Sequence, residues 1–141
     1  MPMILGIDLG ISTGLALLDE YGVLRCSETV TGDRHGLRDL LYDLQNEYDI
    51  PYVAIEEPIY VRGPMYVELR ANLVAVQCSI LTAAETVYVT PSQWKTSVAK
   101  KYKDVQRVRD LAQTPHEVDA ACIAYYVALT EGVLKGPVFH G

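Results

Sequence analysis

From Met3 to Leu9 the chain is apolar except for Asp8, the pattern of a strand buried on both faces. Gly10-Ile11-Ser12-Thr13-Gly14 reads as a turn, Leu15 to Leu18 as a second strand, and Asp19-Glu20-Tyr21-Gly22 as a hairpin turn into a third strand over about 23–30. Leu37, Leu40, Leu41 and Leu44 recur at helical spacing, which predicts an amphipathic helix over about 36–48. Pro51 ends the connection to a short buried strand, Tyr52 to Ile55, that runs into Glu56 and Glu57 and stops at Pro58. A long helix is expected from about Met65 to Glu85, a fifth strand at Val87 to Val89, and short helices from Thr90 through Trp94 and over about 104–112. The last helix begins at Thr114, with Pro115 at its first position and Glu117 completing a capping box, and runs to about Glu131 before Gly132. No repeat or long linker divides the chain, so residues 1–141 form one α/β domain: a mixed five-stranded sheet with helices on both faces.

Composition agrees with a soluble globular domain, half hydrophobic and 21% charged. Cys26, Cys78 and Cys122 are odd in number and form no C-x-x-C pair, which argues against a disulfide framework or structural zinc and for a reducing, cytoplasmic setting. Neither a signal peptide nor an apolar run of about 18 residues is evident, so no membrane partner is expected. The net charge of −6 is uneven: Lys95, Lys100, Lys101, Lys103, Arg107 and Arg109 outnumber Asp104 and Asp110 within residues 91–110. Such a segment is a solvated helical surface or a phosphate-binding face, since fields are local within a Debye length.

An ionised carboxylate in a central strand is costly unless it is paired or bound to a cation, which singles out Asp8. Glu56 and Glu57 repeat the pattern at another strand end, and strand alternation lets only one of them join Asp8 without saying which. His116 and Asp119, three apart in the first turns of the last helix, project from one side. Each has an ordinary explanation alone: a turn-capping Asp, a helix-start His, an acid favoured by the helix dipole. Together they describe a hard-cation site suited to phosphodiester cleavage by two metal ions, with the imidazole as ligand or proton carrier.

Four segments carry a resemblance. Ile4-Leu5-Gly6-Ile7-Asp8-Leu9-Gly10-Ile11-Ser12-Thr13-Gly14 resembles the opening strand motif of RuvC-type Holliday junction resolvases. Ala54-Ile55-Glu56-Glu57-Pro58 is similar to their second acidic motif, which implies Glu56 as the catalytic acid. Thr90-Pro91-Ser92-Gln93-Trp94-Lys95 resembles the segment whose Lys approaches DNA, and His116-Glu117-Val118-Asp119-Ala120-Ala121 the final metal-site helix. The resemblance implies a ribonuclease H-like fold and a homodimeric endonuclease that nicks four-way junctions symmetrically. It implies Asp8, Glu56, His116 and Asp119 as catalytic and metal-binding residues for two ions of Mg²⁺ or Mn²⁺, in a bacterial or phage-infected host cell. Many members carry Asp at the position of His116, and the glycine-rich approach to the last helix is here reduced to Lys100-Lys101-Tyr102-Lys103-Asp104.

Arg62, Arg70, Lys95, Lys100, Lys101, Lys103 and Arg107 are the expected DNA contacts, with Tyr60 and Tyr66 flanking Arg62 in a loop that could wedge against splayed bases. On the long helix, Leu69, Leu73, Val76 and Ile80 form one apolar stripe and Val67, Ala71, Val74, Cys78 and Leu81 another nearly opposite. Two apolar faces need two partners: the sheet, and either the same helix of a second copy or other helices of this domain. Three further readings compete with junction resolution. A nuclease acting on RNA or other branched DNA shares the cleft chemistry, a non-catalytic nucleic-acid module would lack an acid, and an actin-like or sugar-kinase ATPase needs two such domains.

Overall fold

The computed structural model describes residues 2–57, 63–80 and 84–136, without the side chains of residues 64–66. Its strands are β1 (Pro2–Asp8), β2 (Ser12–Leu18), β3 (Leu24–Thr31), β4 (Asp49–Glu56) and β5 (Glu85–Val89). The helices are α1 (Arg34–Glu47), α2 (Pro64–Ser79), α3 (Pro91–Lys95), α4 (Gln106–Leu111) and α5 (Pro115–Thr130), with a 3-10 segment at Val98–Asp104. The strand order is β3-β2-β1-β4-β5; the β1–β2 and β2–β3 pairs are antiparallel, while β4 pairs parallel with both β1 and β5. This is the expected mixed sheet, and β1 at its centre explains the near-continuous apolar run around Asp8.

Alternation along the strands builds two cores. Met3, Leu5, Ile7, Leu15, Leu17, Val53 and Ile55 face α1 and α2, meeting Leu37, Leu41, Leu44, Leu73 and Val76. Ile4, Ala16, Leu18 and Ala54 face the other way, onto α5 and the segments that lead into it, with Trp94, Tyr102 and Val108. α5 is apolar nearly all round because it is covered on every side, and Ala120, Ala121, Ala124 and Ala128 are all buried. Its closeness to the sheet depends on two glycines. A Cβ on Gly6 would stand 2.0 Å from the Ala120 carbonyl oxygen, and one on Gly14 2.2 Å from that of His116.

Several boundaries differ from the sequence reading. β2 starts at Ser12, not Leu15, because the ladder continues through Asp8–Gly14 and Ser12–Thr31; Gly14 is a strand residue under α5, not part of a turn. Pro51 lies inside β4, where the register between β1 and β4 shifts, and a bulge accommodates a residue with no N–H to donate. α2 ends at Ser79 rather than near Glu85, and Ile80 is already extended. Its end is fixed from outside: the Gln45 side chain on α1 donates to the Ser79 carbonyl at 2.8 Å. Lys100 to Asp104, the stretch that stands in place of a glycine-rich approach, belongs to the 3-10 segment Val98–Asp104.

The capping boxes are also redistributed. At α5 the Thr114 hydroxyl accepts from the Glu117 N–H, but the Glu117 carboxylate turns to the edge strand, accepting from Ser27 and Thr29 hydroxyls at 2.7 and 2.6 Å. A reciprocal box forms instead at α3, between Thr90 and Gln93. No helix among the described residues is long and apolar enough to cross a membrane.

Candidate metal centre and nucleic-acid face

Asp8 ends β1 with its side chain on the α5 face, because Ile4 and Gly6 of the same parity lie under α5. The parallel register pairs Gly6 with Ala54, so two residues further on Glu56 reaches the same face at the same level. That resolves the choice between the adjacent glutamates. Glu57 stands past the strand, exposed, and its N–H donates to the Val89 carbonyl at 2.8 Å. The close seating of α5 on Gly14, the β2 partner of Asp8, carries His116 and Asp119 over the same strand ends. His116 Nδ1 lies 3.2 Å from Asp8 Oδ2.

The carboxylates act on one another. Burial, and then the charges of Glu56 and Asp119, push the Asp8 carboxyl up to about 6, against the lowering effect of its contact with His116. Burial likewise raises Glu56, assisted by the Asp119 charge, while the Trp94 indole and Lys95 oppose it. Asp119 is raised by burial and held back by Lys95, His116 and Lys103. Among the described residues none of these three acids has an arginine as an ion-pair partner, and carboxylates that raise one another in a buried setting favour a nearby cation.

No trio of His, Cys, Asp or Glu side chains among the described residues stands close enough to hold a single ion. One oxygen of Glu56 accepts from Trp94 Nε1, and one of Asp8 faces His116. The donor set nevertheless suits Mg²⁺, which keeps several waters and takes only one or two carboxylates per ion. Asp8 faces His116, and Asp119 lines one cavity with Trp94 and Lys95, the residues beside Glu56.

The lysines divide by position. Lys95, Lys100 and Lys103 line a cavity of about 330 Å³ together with Trp94, Val118, Asp119 and Cys122. Lys101 and Arg70 are exposed on the 3-10 segment and on α2. Arg107 is not brought to this face. Its Nε–H donates to the Leu24 carbonyl at 3.0 Å, beside Met3, Arg25 and Tyr48 at the opposite end of the sheet from Asp8. Arg62 and Tyr60 lie outside the described residues, as does the side chain of Tyr66.

Two residues of the site escaped the sequence reading. Trp94 was legible as part of α3 and of the Thr90–Lys95 motif but with no role of its own; that it is the chain's one tryptophan, beside a lysine, was the available signal. Asn72, buried on α2, donates to the Gly10 carbonyl at 2.8 Å and so holds the turn after Asp8, which the Thr13 hydroxyl also fastens at 3.0 Å. A lone Asn on an otherwise apolar helix face was its only mark.

No family model matches the chain, nor does any curated protein sequence. Solved structures do. The chain superposes on RuvC of T. thermophilus in complex with Holliday junction substrate, with a TM-score of 0.78 over 96% of this chain and 99% of that one at 19% identity. It also superposes on the Fowlpox virus resolvase in complex with substrate Holliday junction DNA, with a TM-score of 0.56 over 92% of this chain and 99% of that one at 14% identity. The chain therefore has the ribonuclease H-like α/β fold. A further structure, that of Thermus thermophilus RuvC, superposes with a TM-score of 0.75 over 94% of this chain and 98% of that one at 19% identity.

Proposed function

We propose that this protein is a metal-dependent, structure-selective endodeoxyribonuclease that resolves four-way DNA junctions by paired symmetric nicks. The observation that carries the reading is the arrival of Asp8, Glu56 and Asp119 from three separate elements at one end of the sheet, beside a lysine-lined cavity. Its fold likeness to two resolvases captured with junction DNA supports the choice of substrate.

Asp8 and Glu56 would hold one ion, and Asp8 with Asp119 and His116 the second. Two such ions, when bound, would supply an activated water and stabilise the leaving oxygen. Asp8, on the rigid central strand, fixes the position of both donor pairs. His116 is half-exposed with Nδ1 turned to Asp8, which leaves Nε2 as the ring nitrogen available to a second partner. Lys95, Lys100 and Lys103 bind the phosphates that flank the cut.

A second copy of the chain completes the enzyme. On α2, Leu69, Leu73 and Val76 are buried against this domain, whereas Val67, Val74 and Cys78 are exposed around the half-buried Ala71. Within the described residues no other element of the domain covers that face, and two nicks placed symmetrically require two sites related by a two-fold axis.

A gel assay tests the reading, offering a four-way junction, a flap, plain duplex and an RNA–DNA hybrid with Mg²⁺, Mn²⁺ or chelator. Paired nicks confined to the four-way junction and abolished by chelator are expected. Asp8→Asn and Glu56→Gln should lose at least about 100-fold in nicking rate while junction binding persists, since these groups hold cations and not the duplex. Preferential cutting of the hybrid or flap would transfer the assignment to another nuclease class. Binding without any cutting would make the domain a recognition module.

A further inference from the structure

We infer that Trp94 is the positioning residue of Glu56: its indole N–H holds one carboxylate oxygen and leaves the other, Oε1, as the atom Glu56 gives to a cation. The inference rests on the metal-nuclease reading of the site and deepens it. The contact follows from the chain's path. Val89 at the end of β5 pairs with Glu56 at the end of β4. Thr90 and Gln93 then close a reciprocal capping box that turns α3 back across the strand ends, setting Trp94 over Glu56.

Packing makes the indole a fixed reference. Trp94 is 3% exposed and sits in the α5-side core with Ala54, Val89 and Tyr102. A tryptophan has a single polar atom, which only donates, and a buried N–H needs an acceptor. Here that acceptor is the Glu56 carboxylate. A phenylalanine would keep an aromatic ring in the core, at the cost of the volume of the second ring, but could not restrain the acid. Glu56 is only partly buried at the strand end and has three side-chain torsions, so without the indole it would sample several orientations. The outer side of the same ring carries Lys95, whose Nζ lies 5.3 Å from the ring centroid. One side chain thereby sets both an acid of the metal centre and a lysine of the phosphate cavity.

The chain has one tryptophan, so its emission reports on this indole alone. Titrating Mg²⁺ into the wild-type protein, free and bound to a four-way junction, should change that emission saturably, with the midpoint matching the Mg²⁺ dependence of nicking. The change should vanish in Glu56→Gln. Trp94→Phe should nick about 10–100-fold more slowly at saturating junction, with its Mg²⁺ midpoint raised, as when a partner of a metal ligand is removed, and should weaken junction binding by a much smaller factor through Lys95. Wild-type nicking and an unshifted Mg²⁺ midpoint in Trp94→Phe would overturn the inference. So would wild-type emission that ignores Mg²⁺ in both forms, or a response that persists in Glu56→Gln. Should Trp94→Phe not fold, the wild-type emission decides the matter. Nicking that survives Glu56→Gln would instead bring down the metal-nuclease reading of the site.

Discussion

Glu117 and Asp119 are two residues apart on α5 and do opposite work. Asp119 is raised by burial among other acids. Glu117 is also penalised by burial, yet hydrogen bonds from Thr29, Ser27, the Gln113 N–H and Thr114 hold it below the usual carboxylate range. A lowered native value means that its stabilisation is complete above the ordinary carboxylate pKa and is lost as pH falls through the native one. Glu117→Ala, which takes the shared acceptor from the half-buried Ser27 and Thr29 hydroxyls, should therefore cost about 1–3 kcal/mol at neutral pH, measured by denaturant unfolding. Glu117→Gln should cost less, and its deficit relative to wild type should shrink on acidification; a deficit that grows instead would contradict the charge-assisted account. The capping motif correctly located the helix start. What it could not convey is that the carboxylate, once in place, finds stronger donors on β3 than on its own helix, because that pairing spans about 90 residues of sequence.

At the scale of elements, the site exists because α5 rests against bare backbone. Gly6 and Gly14 remove the side chains that would otherwise hold the helix away, and the helix answers with alanines. Gly14→Ala would drive a methyl group into the His116 carbonyl, and backbone cannot yield as a flexible side chain does. The expected result is a loss of at least about 3 kcal/mol in stability and, in whatever remains folded, displacement of His116 and Asp119 from Asp8 with nicking reduced more than binding. A stable, fully active Gly14→Ala protein would show that α5 is not seated as described. Element existence was largely legible from the sequence, since periodicity and turn residues act locally. The limits of α2 and β2 were not, because Gln45 on a neighbouring helix and the β3 ladder set them. The two apolar stripes of the long helix were visible, and the structure buries Leu69, Leu73 and Val76 of one; Ile80 falls past the end of α2, and Leu81 of the other stripe lies outside the described residues. Val74→Glu, placed on the exposed stripe, should leave thermal stability nearly unchanged but convert a dimer to monomer in sedimentation or light scattering. It should also replace paired nicks by single ones. Retention of the dimer would assign that face to something other than a second copy.

Across the whole molecule the charges are sorted by the fold more than by composition. A chain of net charge −6 approaches DNA only if its positive groups are gathered where the phosphates pass. The basic stretch of residues 91–110 looked uniform in sequence, but the structure splits it: Lys95, Lys100 and Lys103 border the acids, and Arg107 is held at the far end of the sheet by the Leu24 carbonyl. Leu24 is level with Leu18 and Ile4, four residues down β1 from Asp8, or about 13 Å along the strand. Counterion release turns this division into a measurement. Each phosphate contact removed should lower the slope of log affinity against log salt by about 0.9 for duplex arms. Lys100→Ala and Lys103→Ala should each flatten the junction-binding slope by roughly that amount and weaken binding most at low salt. Arg107→Ala should leave the slope as it is and alter stability only modestly, through its lost hydrogen bond. Equal effects from all three variants would mean that the junction wraps around the far end of the sheet as well, and that charge along this segment, not its placement beside the acids, governs binding.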